Sequence, residues 1–296
     1  MDILLTGGAG QVGIELLRQA WPPEIRIHAP GRAELDLANV SSIERVLSER
    51  RWGAVISAGA FTAVDRAETD VAEAWQVNAL APAILAKRSA QAGIPIVHVS
   101  TDYVFSGSKD GYYEEDDPVG PIGVYGASKE GGEQAVRTGN PRHAIVRTAW
   151  VVSPHRANFL KTMLRLAGEG REEIGVVADQ RGCPTFAGDL ATALMQATLA
   201  LVERPDGSSG TYHFVNDGEA TWAEFAAAIF AESARRGGPS ARVREIATAD
   251  YPTPARRPAN SRLATDHIRR AFGIAPRPWQ APLAEALSAL RIGAAG

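Results

Sequence analysis

Tyr125 and Lys129 stand four residues apart in the run Val124-Tyr125-Gly126-Ala127-Ser128-Lys129, at a predicted helix start. Four residues along a helix bring two side chains to one face, so the pair can act together. A tyrosine hydroxyl ordinarily ionises near pH ~10, and an ammonium beside it stabilises the phenolate and lowers that value. The pair then makes a tuned proton donor. Upstream, the strand-like run Ile96 to Val99 ends in Ser100-Thr101-Asp102-Tyr103-Val104-Phe105. A hydroxyl at a strand end can hold a substrate carbonyl for attack by hydride. Neighbours on a strand face opposite sides, so only one of Ser100 and Thr101 enters the site, and Thr101 is preferred. A Tyr-x-x-x-Lys spacing alone also describes an ordinary surface helix with a half-buried aromatic.

A hydride needs a carrier, and the N-terminal residues describe a place for one. The strand Asp2-Ile3-Leu4-Leu5 runs into Thr6-Gly7-Gly8-Ala9-Gly10-Gln11-Val12-Gly13, followed at once by a helical pattern. Glycines there permit a tight turn and close backbone approach to a diphosphate, while free amides and the helix dipole face the anion. A glycine turn between strand and helix can also serve packing only, but its place after the first strand of a βαβ unit favours dinucleotide binding. Gly7, Gly10 and Gly13 are spaced as in the loop of short-chain dehydrogenases. At the end of the second strand, His28-Ala29-Pro30-Gly31-Arg32 lacks the acid that would hold the ribose of NAD. Arg32 suits a 2′-phosphate, so NADPH is favoured and NADH stays open. The alternative for Arg32 is a solvated loop charge. Asp36 and Leu37 come late for the ribose but can meet the adenine, and Ser57-Ala58-Gly59-Ala60 ends the third strand with small residues against which a cofactor can lie.

These residues need elements to hold them. Strands are predicted at Asp2 to Leu5, Ile25 to His28, Ala54 to Ser57, Ile96 to Val99 and Ala144 to Arg147, with helices starting near Gly10, Ser41, Asp65 and Tyr125. That alternation reads as an α/β fold with a doubly wound parallel sheet of Rossmann type. After Trp150 the rhythm loosens into helical segments at Asn158 to Ala167, Gly188 to Val202 and Thr221 to Arg236. The expectation is a dinucleotide-binding domain over 1–150 and a mainly substrate-binding domain over 151–296, with some elements returning to the first sheet.

Bulk properties narrow the partners. The chain has 296 residues, 45% hydrophobic and 22% charged, with a formal net charge of −3. Nucleic acid and anionic membrane surfaces usually call for a basic excess, so neither is expected. The most apolar helical stretch, Ala191 to Val202, is short of a membrane span. A single cysteine, Cys183, excludes an intramolecular disulfide framework and reads as a small packed residue. With a strand beginning at the second residue there is no room for a signal peptide, and a cytoplasmic location is expected. The acidic run Glu114-Glu115-Asp116-Asp117 reads as an exposed loop face rather than a metal site.

Beyond these motifs the chain resembles the dTDP-4-dehydrorhamnose reductases, which are extended short-chain dehydrogenases. The resemblance runs almost end to end, through GGAGQVG, DRAE around Asp65, STDYVF (100–105), VYGASK (124–129), RTAWV (147–151), NFLKTMLRLA (158–167), DQRGCPT (179–185) and YPTPARRPANSRL (251–263). It implies that Gly10, Gln11, Val12, Asp36, Leu37, Ala58, Gly59 and Ala60 contact the cofactor, that Thr101, Tyr125 and Lys129 are catalytic, and that Asp102 and Trp150 face the substrate. Lys129 would also anchor the nicotinamide ribose. Arg256, Arg257 and Arg262 are candidates for the substrate diphosphate, since guanidinium groups match phosphate oxygens, or are solvated charges. The implied reaction is NAD(P)H-dependent reduction of the C4 keto group of a nucleotide-linked sugar, dTDP-4-dehydro-β-L-rhamnose. Alternatives are another nucleotide-sugar 4-ketoreductase or epimerase, and a non-catalytic NADP-binding regulatory subunit. Some family members are associated with Mg²⁺ and a homodimer built on clustered glutamates. This chain keeps Glu15, but Arg291 to Gly296 has no carboxylate side chain, so no metal ligand is assigned and a homodimer stays open.

Overall fold

The structure, a computed structural model, describes residues 1–204 and 207–292. Of the C-terminal run Arg291 to Gly296, residues 293–296 therefore lie outside the described residues. Through the first half the chain runs β1 (Asp2–Thr6), α1 (Gln11–Arg18), β2 (Arg26–His28), α2 (Val40–Ser48), β3 (Ala54–Ser57), α3 (Val64–Ala67), α4 (Val71–Trp75), a π segment (Gln76–Leu80), α5 (Ala81–Gln91), β4 (Ile96–Thr101), α6 (Val124–Gly139) and β5 (His143–Thr148). The second half continues as β6 (Val151–Val152), α7 (Phe159–Gly168), β7 (Glu173–Val177), β8 (Arg181–Gly182), β9 (Thr185–Phe186), α8 (Ala187–Glu203), β10 (Gly210–His213), β11 (Ala220–Thr221), α9 (Trp222–Arg235), β12 (Arg242–Ile246), β13 (Asn260–Ser261), α10 (Asp266–Phe272) and α11 (Gln280–Ala289).

The main sheet is parallel, with strand order β2-β1-β3-β4-β5-β10. From β1 the chain leaves toward β2 on one side and later returns to β3 on the other, which creates a switch point between β1 and β3. Ligands of open parallel sheets bind beyond the carboxyl ends of the strands at such a point. Alternate residues of each strand feed opposite faces. Ile3, Leu5, Ile56, Val97 and Val146 pack with Leu16 of α1 and Leu190 and Leu194 of α8. Leu4, Val55, Ile96 and Ile145 pack on the other side with Ile43, Leu85 and Val136 of α2, α5 and α6. The fold is thus the doubly wound α/β sheet expected from the alternating pattern.

A separate apolar core gathers Leu160, Met163, Ile174, Phe225, Ile229, Trp279 and Leu287 from α7, β7, α9 and the C-terminal helix. Between it and the sheet lies a small cluster that includes Phe105, Tyr113, Cys183, Val215 and Leu263. Cys183 is buried there, and burial pushes its thiol up to about 12. The acidic loop corrects the exposed-face expectation in part. Glu115 accepts the His213 amide at 2.9 Å, and Asp117 accepts both the Glu114 amide at 2.6 Å and the Lys109 ammonium at 2.5 Å. Two of the four carboxylates are therefore turned inward to tie the loop to β10 and to Lys109. Among the described residues no helix is long and apolar enough to cross a membrane.

Candidate active site

The glycine loop sits at the switch point. Gly7 has φ 75°, a left-handed conformation that glycine adopts without steric cost. A Cβ at Gly7 would lie 2.6 Å from the Gly59 Cα, and one at Gly59 would lie 2.7 Å from a Leu37 methyl. The loops after β1 and β3 therefore touch, with Leu37 against the second of them. At Gly13 a Cβ would come within 2.2 Å of the Gly7 carbonyl oxygen, so the helix can start this close to the strand only with glycine there. The amide of Ile14 bonds the Gly10 carbonyl at 2.9 Å, and the amides of Gln11, Val12 and Gly13 precede that first helical bond. No side chain caps α1, and its first turn has no acid. Unpaired amides at the positive end of a helix, with no carboxylate in competition, fit the diphosphate of a dinucleotide.

The other expected cofactor residues differ in their surroundings. The Gln11 side chain is occupied elsewhere, accepting from Ser153 and Asn158 at 2.8 Å each, so only its backbone faces the loop. Val12 and Ala58 pack against the apolar face shared by α1 and α8, and Ala60 follows at the end of the β3 loop, half-buried. Asp36 accepts the Ala38 amide at 3.0 Å. Arg32 is highly exposed, 3.4 Å from Glu73 and 4.0 Å from Asp36.

The second group collects where β4 meets α6. Ser100 and Thr101 diverge: the Ser100 hydroxyl donates to Glu133 at 2.6 Å, whereas that of Thr101 donates to Asp102 at 3.0 Å. The α6 helix starts without a side-chain cap of its own, but Glu68 accepts the Val124 amide at 2.9 Å and supplies one. One turn of α6 then presents Tyr125, edge-on to Tyr103 with ring centroids 5.4 Å apart, and the next presents Lys129. The Lys129 ammonium donates to the Val99 carbonyl at 2.7 Å and lies 3.4 Å from His98 Nε2.

The electrostatics differ from the expected tuning of Tyr125 by the ammonium. Burial pushes the Tyr125 phenol up to about 12, opposed by a hydrogen bond with Thr101. Burial likewise pulls Lys129 down to about 8, opposed by Glu133 one turn further along the helix. Burial governs both groups, and the ammonium donates to the β4 backbone rather than to the phenol. Asp102 is also buried and raised to about 6, with Ser261 and Thr101 partly offsetting the burial. Its Oδ2 has no hydrogen-bond partner.

The residues expected at the substrate differ in their availability. Trp150 has φ 51°, a strained value for a non-glycine residue. Its indole stacks on Trp222 at 3.6 Å and 11°, and a Cβ on Gly182 would collide with it at 2.4 Å, so one ring face is already covered. Arg257 donates to Asp65 at 2.8 Å through one nitrogen, while its buried NH1 has no partner. Arg262 is engaged by Glu219 at 2.8 Å, and Arg256 is exposed. Among the described residues no group of three or more His, Cys, Asp or Glu is arranged to hold a metal ion.

Sequence reasoning missed Glu68, His98 and Glu133. The spacing 125, 129, 133 does carry a signal for Glu133, which is the next residue on the same helix face. His98 has only the anomaly of a histidine within an apolar strand, and nothing in the sequence links Glu68 to α6.

A doubly wound sheet with a glycine loop at its switch point defines a Rossmann-type protein of the short-chain dehydrogenase class. The RmlD substrate binding domain family matches residues 1–292. The dTDP-4-dehydrorhamnose reductase of Sinorhizobium fredii is 43% identical over 95% of this chain and 94% of its own length. Among solved structures, that of a dTDP-4-dehydrorhamnose reductase from Clostridium acetobutylicum superposes with TM-score 0.90 at 35% identity, covering 98% of this chain and 100% of that one. The Bacillus anthracis enzyme in complex with NADP superposes with TM-score 0.88 at 35% identity, covering 97% and 99%. The chain belongs to the dTDP-4-dehydrorhamnose reductase family, whose members are NAD(P)H-dependent oxidoreductases.

Proposed function

We propose that this protein reduces the C4 keto group of dTDP-4-dehydro-β-L-rhamnose to give dTDP-β-L-rhamnose, with NADPH as the preferred reductant. The observation that carries the reading is the meeting of Thr101, Tyr125 and Lys129 at the carboxyl ends of β4 and the start of α6, in the same sheet whose β1–β3 switch point bears the amide-rich loop. When bound, the nicotinamide supplies hydride to the carbonyl carbon. Thr101 orients the carbonyl oxygen, and Tyr125 gives its phenolic proton to that oxygen as negative charge develops there. A phenol raised to about 12 is fully protonated at neutral pH, the state a proton donor needs. Lys129 holds positive charge beneath the reacting oxygen and anchors the cofactor ribose. The amides of the Gly7–Gly13 loop bind the diphosphate, with Arg32 at the adenosine end, Leu37 and Ala58 to Ala60 lining the cofactor, and Asp36 beside the adenine. Asp102, Trp150 and the free nitrogen of Arg257 meet the substrate. In this reading residues 1–150 hold the cofactor, 151–296 mainly cover the sugar nucleotide, and the enzyme works in the cytoplasm.

The test is Tyr125→Phe with the keto sugar and NADPH. Loss of a general acid typically costs ~10² to 10⁴-fold, and that loss in kcat is expected with cofactor affinity kept within about a few-fold, since the ring still packs. A near-normal rate would overturn the assignment. No turnover of this substrate, beside clear turnover of another nucleotide-linked keto sugar, would keep the chemistry and change the sugar.

A further inference from the structure

His98 lies in the middle of β4, wholly buried, in a strand otherwise apolar up to Val99. Its Nδ1 is 3.0 Å from the Ser57 hydroxyl at the end of β3, and its Nε2 is 3.4 Å from the Lys129 ammonium. An ammonium has donors only, so Nε2 must accept; Nδ1 then carries the proton and donates to Ser57. The lysine thus sets the tautomer. Burial and the neighbouring ammonium both hold His98 well below the usual histidine range, so the ring stays neutral.

We propose that His98, fixed by Ser57, is a positioning residue for Lys129 that orients its ammonium toward the reacting groups. The proposal rests on the reading of Lys129 given above. Of the three ammonium N–H bonds, one goes to the Val99 carbonyl and one to His98, so tetrahedral geometry fixes the direction of the third. The close fit of helix and strand makes this possible. At Gly132 a Cβ would stand 2.1 Å from the Asn78 carbonyl oxygen, so α6 can pack this closely on the π segment only with glycine there, and the same position lies in ordinary contact with His98 Nε2 at 3.5 Å. The charged and titratable groups next to Lys129 are Tyr125 and Glu133 from its own helix and His98 from β4, and Glu133 is in turn paired with Arg147 of β5. The π segment contributes only the uncharged Asn78, bonded to Ser128 at 3.0 Å. Within this set His98 is the neutral acceptor whose removal changes no formal charge.

The experiment compares His98→Leu, His98→Gln and Lys129→Met in the full chain, following NADPH oxidation across pH and imidazole ¹⁵N shifts. A hydrogen bond to a charged group is worth enough to move a titration by about one pH unit or more. In His98→Leu the alkaline fall of kcat is therefore expected about one unit lower, with about tenfold loss on that limb and little loss where the lysine is still protonated. His98→Gln, whose amide oxygen can accept from the ammonium, restores most of the profile. The ¹⁵N shifts should report a neutral ring protonated on Nδ1, with that preference lost in Lys129→Met. A His98→Leu profile that superposes on the wild type, or a uniform loss at every pH, overturns the proposal, as does a wild-type ring protonated on Nε2. Should His98→Leu fail to fold, the ¹⁵N tautomer and His98→Gln still decide. Near-normal turnover in Lys129→Met overturns the reading of Lys129 itself, whereas an inactive Lys129→Met beside an unshifted His98→Leu overturns only the role of His98.

Discussion

Glu133→Gln removes one charge from a pair that is almost completely dry. The side chains of Arg147 and Glu133 are 3% and 1% exposed, and the carboxylate takes two bonds from the Arg147 guanidinium, at 2.9 and 2.7 Å, besides the Ser100 hydroxyl at 2.6 Å and the half-exposed Arg137 at 3.4 Å. Removing one partner of such a pair typically costs ~3–5 kcal/mol, because the remaining charge stays buried without its counter-ion. Against a total stability of ~5–15 kcal/mol for a folded domain, that is a large fraction. An exposed pair behaves otherwise: Arg165 and Glu169, 60% and 49% exposed, make an i,i+4 contact on α7, and Glu169→Gln should cost no more than about 0.5 kcal/mol. The double variant Glu133→Leu/Arg147→Met separates burial from pairing. It removes both desolvation penalties with both charges, so it should recover to within about 2 kcal/mol of the wild type rather than sum the two single losses. Urea unfolding reads these differences directly, provided the slope with denaturant stays constant across the set. A single variant costing under about 1 kcal/mol, or a double variant costing the sum, would refute the reasoning that this pair locks α6 to the sheet.

Two further outcomes follow from the site. Asp102 is buried and raised from 3.8 to about 6, so the folded chain takes up a proton between those values and the associated stability, present below the lower one, is lost as pH rises through the upper. Asp102→Asn should therefore gain about 3 kcal/mol on the wild type between pH ~4 and ~7, read by thermal or urea unfolding, and a pH-independent difference would remove the cause given. Arg32→Ala should weaken NADPH while leaving NADH nearly unchanged, as measured by the two dissociation constants; equal loss for both, or for neither, would show that Arg32 is not a 2′-phosphate ligand.

Much of the sheet was legible because its strands are short β-branched runs with helical patterns between them, and the observed strands differ from the expected ones by at most a residue or two at either end. The Tyr125–Lys129 face and the divergence of Ser100 from Thr101 follow from helical and strand periodicities alone. What was not legible depends on contacts between distant segments. The lowering of Tyr125 was expected from the proximity of an ammonium, but whether that charge points at the phenol or at the Val99 carbonyl is decided by the depth of α6 on β4. Glu115 and Asp117 read as solvated because four acids in a row usually are, and only the return of β10 beside β5 gives Glu115 the His213 amide to accept. The small strands β6, β8, β9, β11 and β13 have two residues each, too few for any periodicity to register.

The end of β4 serves α6 residue by residue, and this explains how the site is made rigid. His98 and Ser100 share the strand face that turns toward α6, and they meet Lys129 and Glu133; the Val99 carbonyl also meets Lys129, and Thr101 meets Tyr125. Three successive turns of one helix are thus matched to four successive residues of one strand. A one-residue slip of β4 would turn every side chain to the other face and break all of these contacts at once. The register is held from both ends, by Glu68 at the first amide of α6 and by the Glu133–Arg147 pair to β5. Functional groups on paired regular elements keep their geometry more closely than groups on loops. Trp150 and Arg257, by contrast, stand outside the named strands and helices, in segments that can change without disturbing the contacts between β4 and α6.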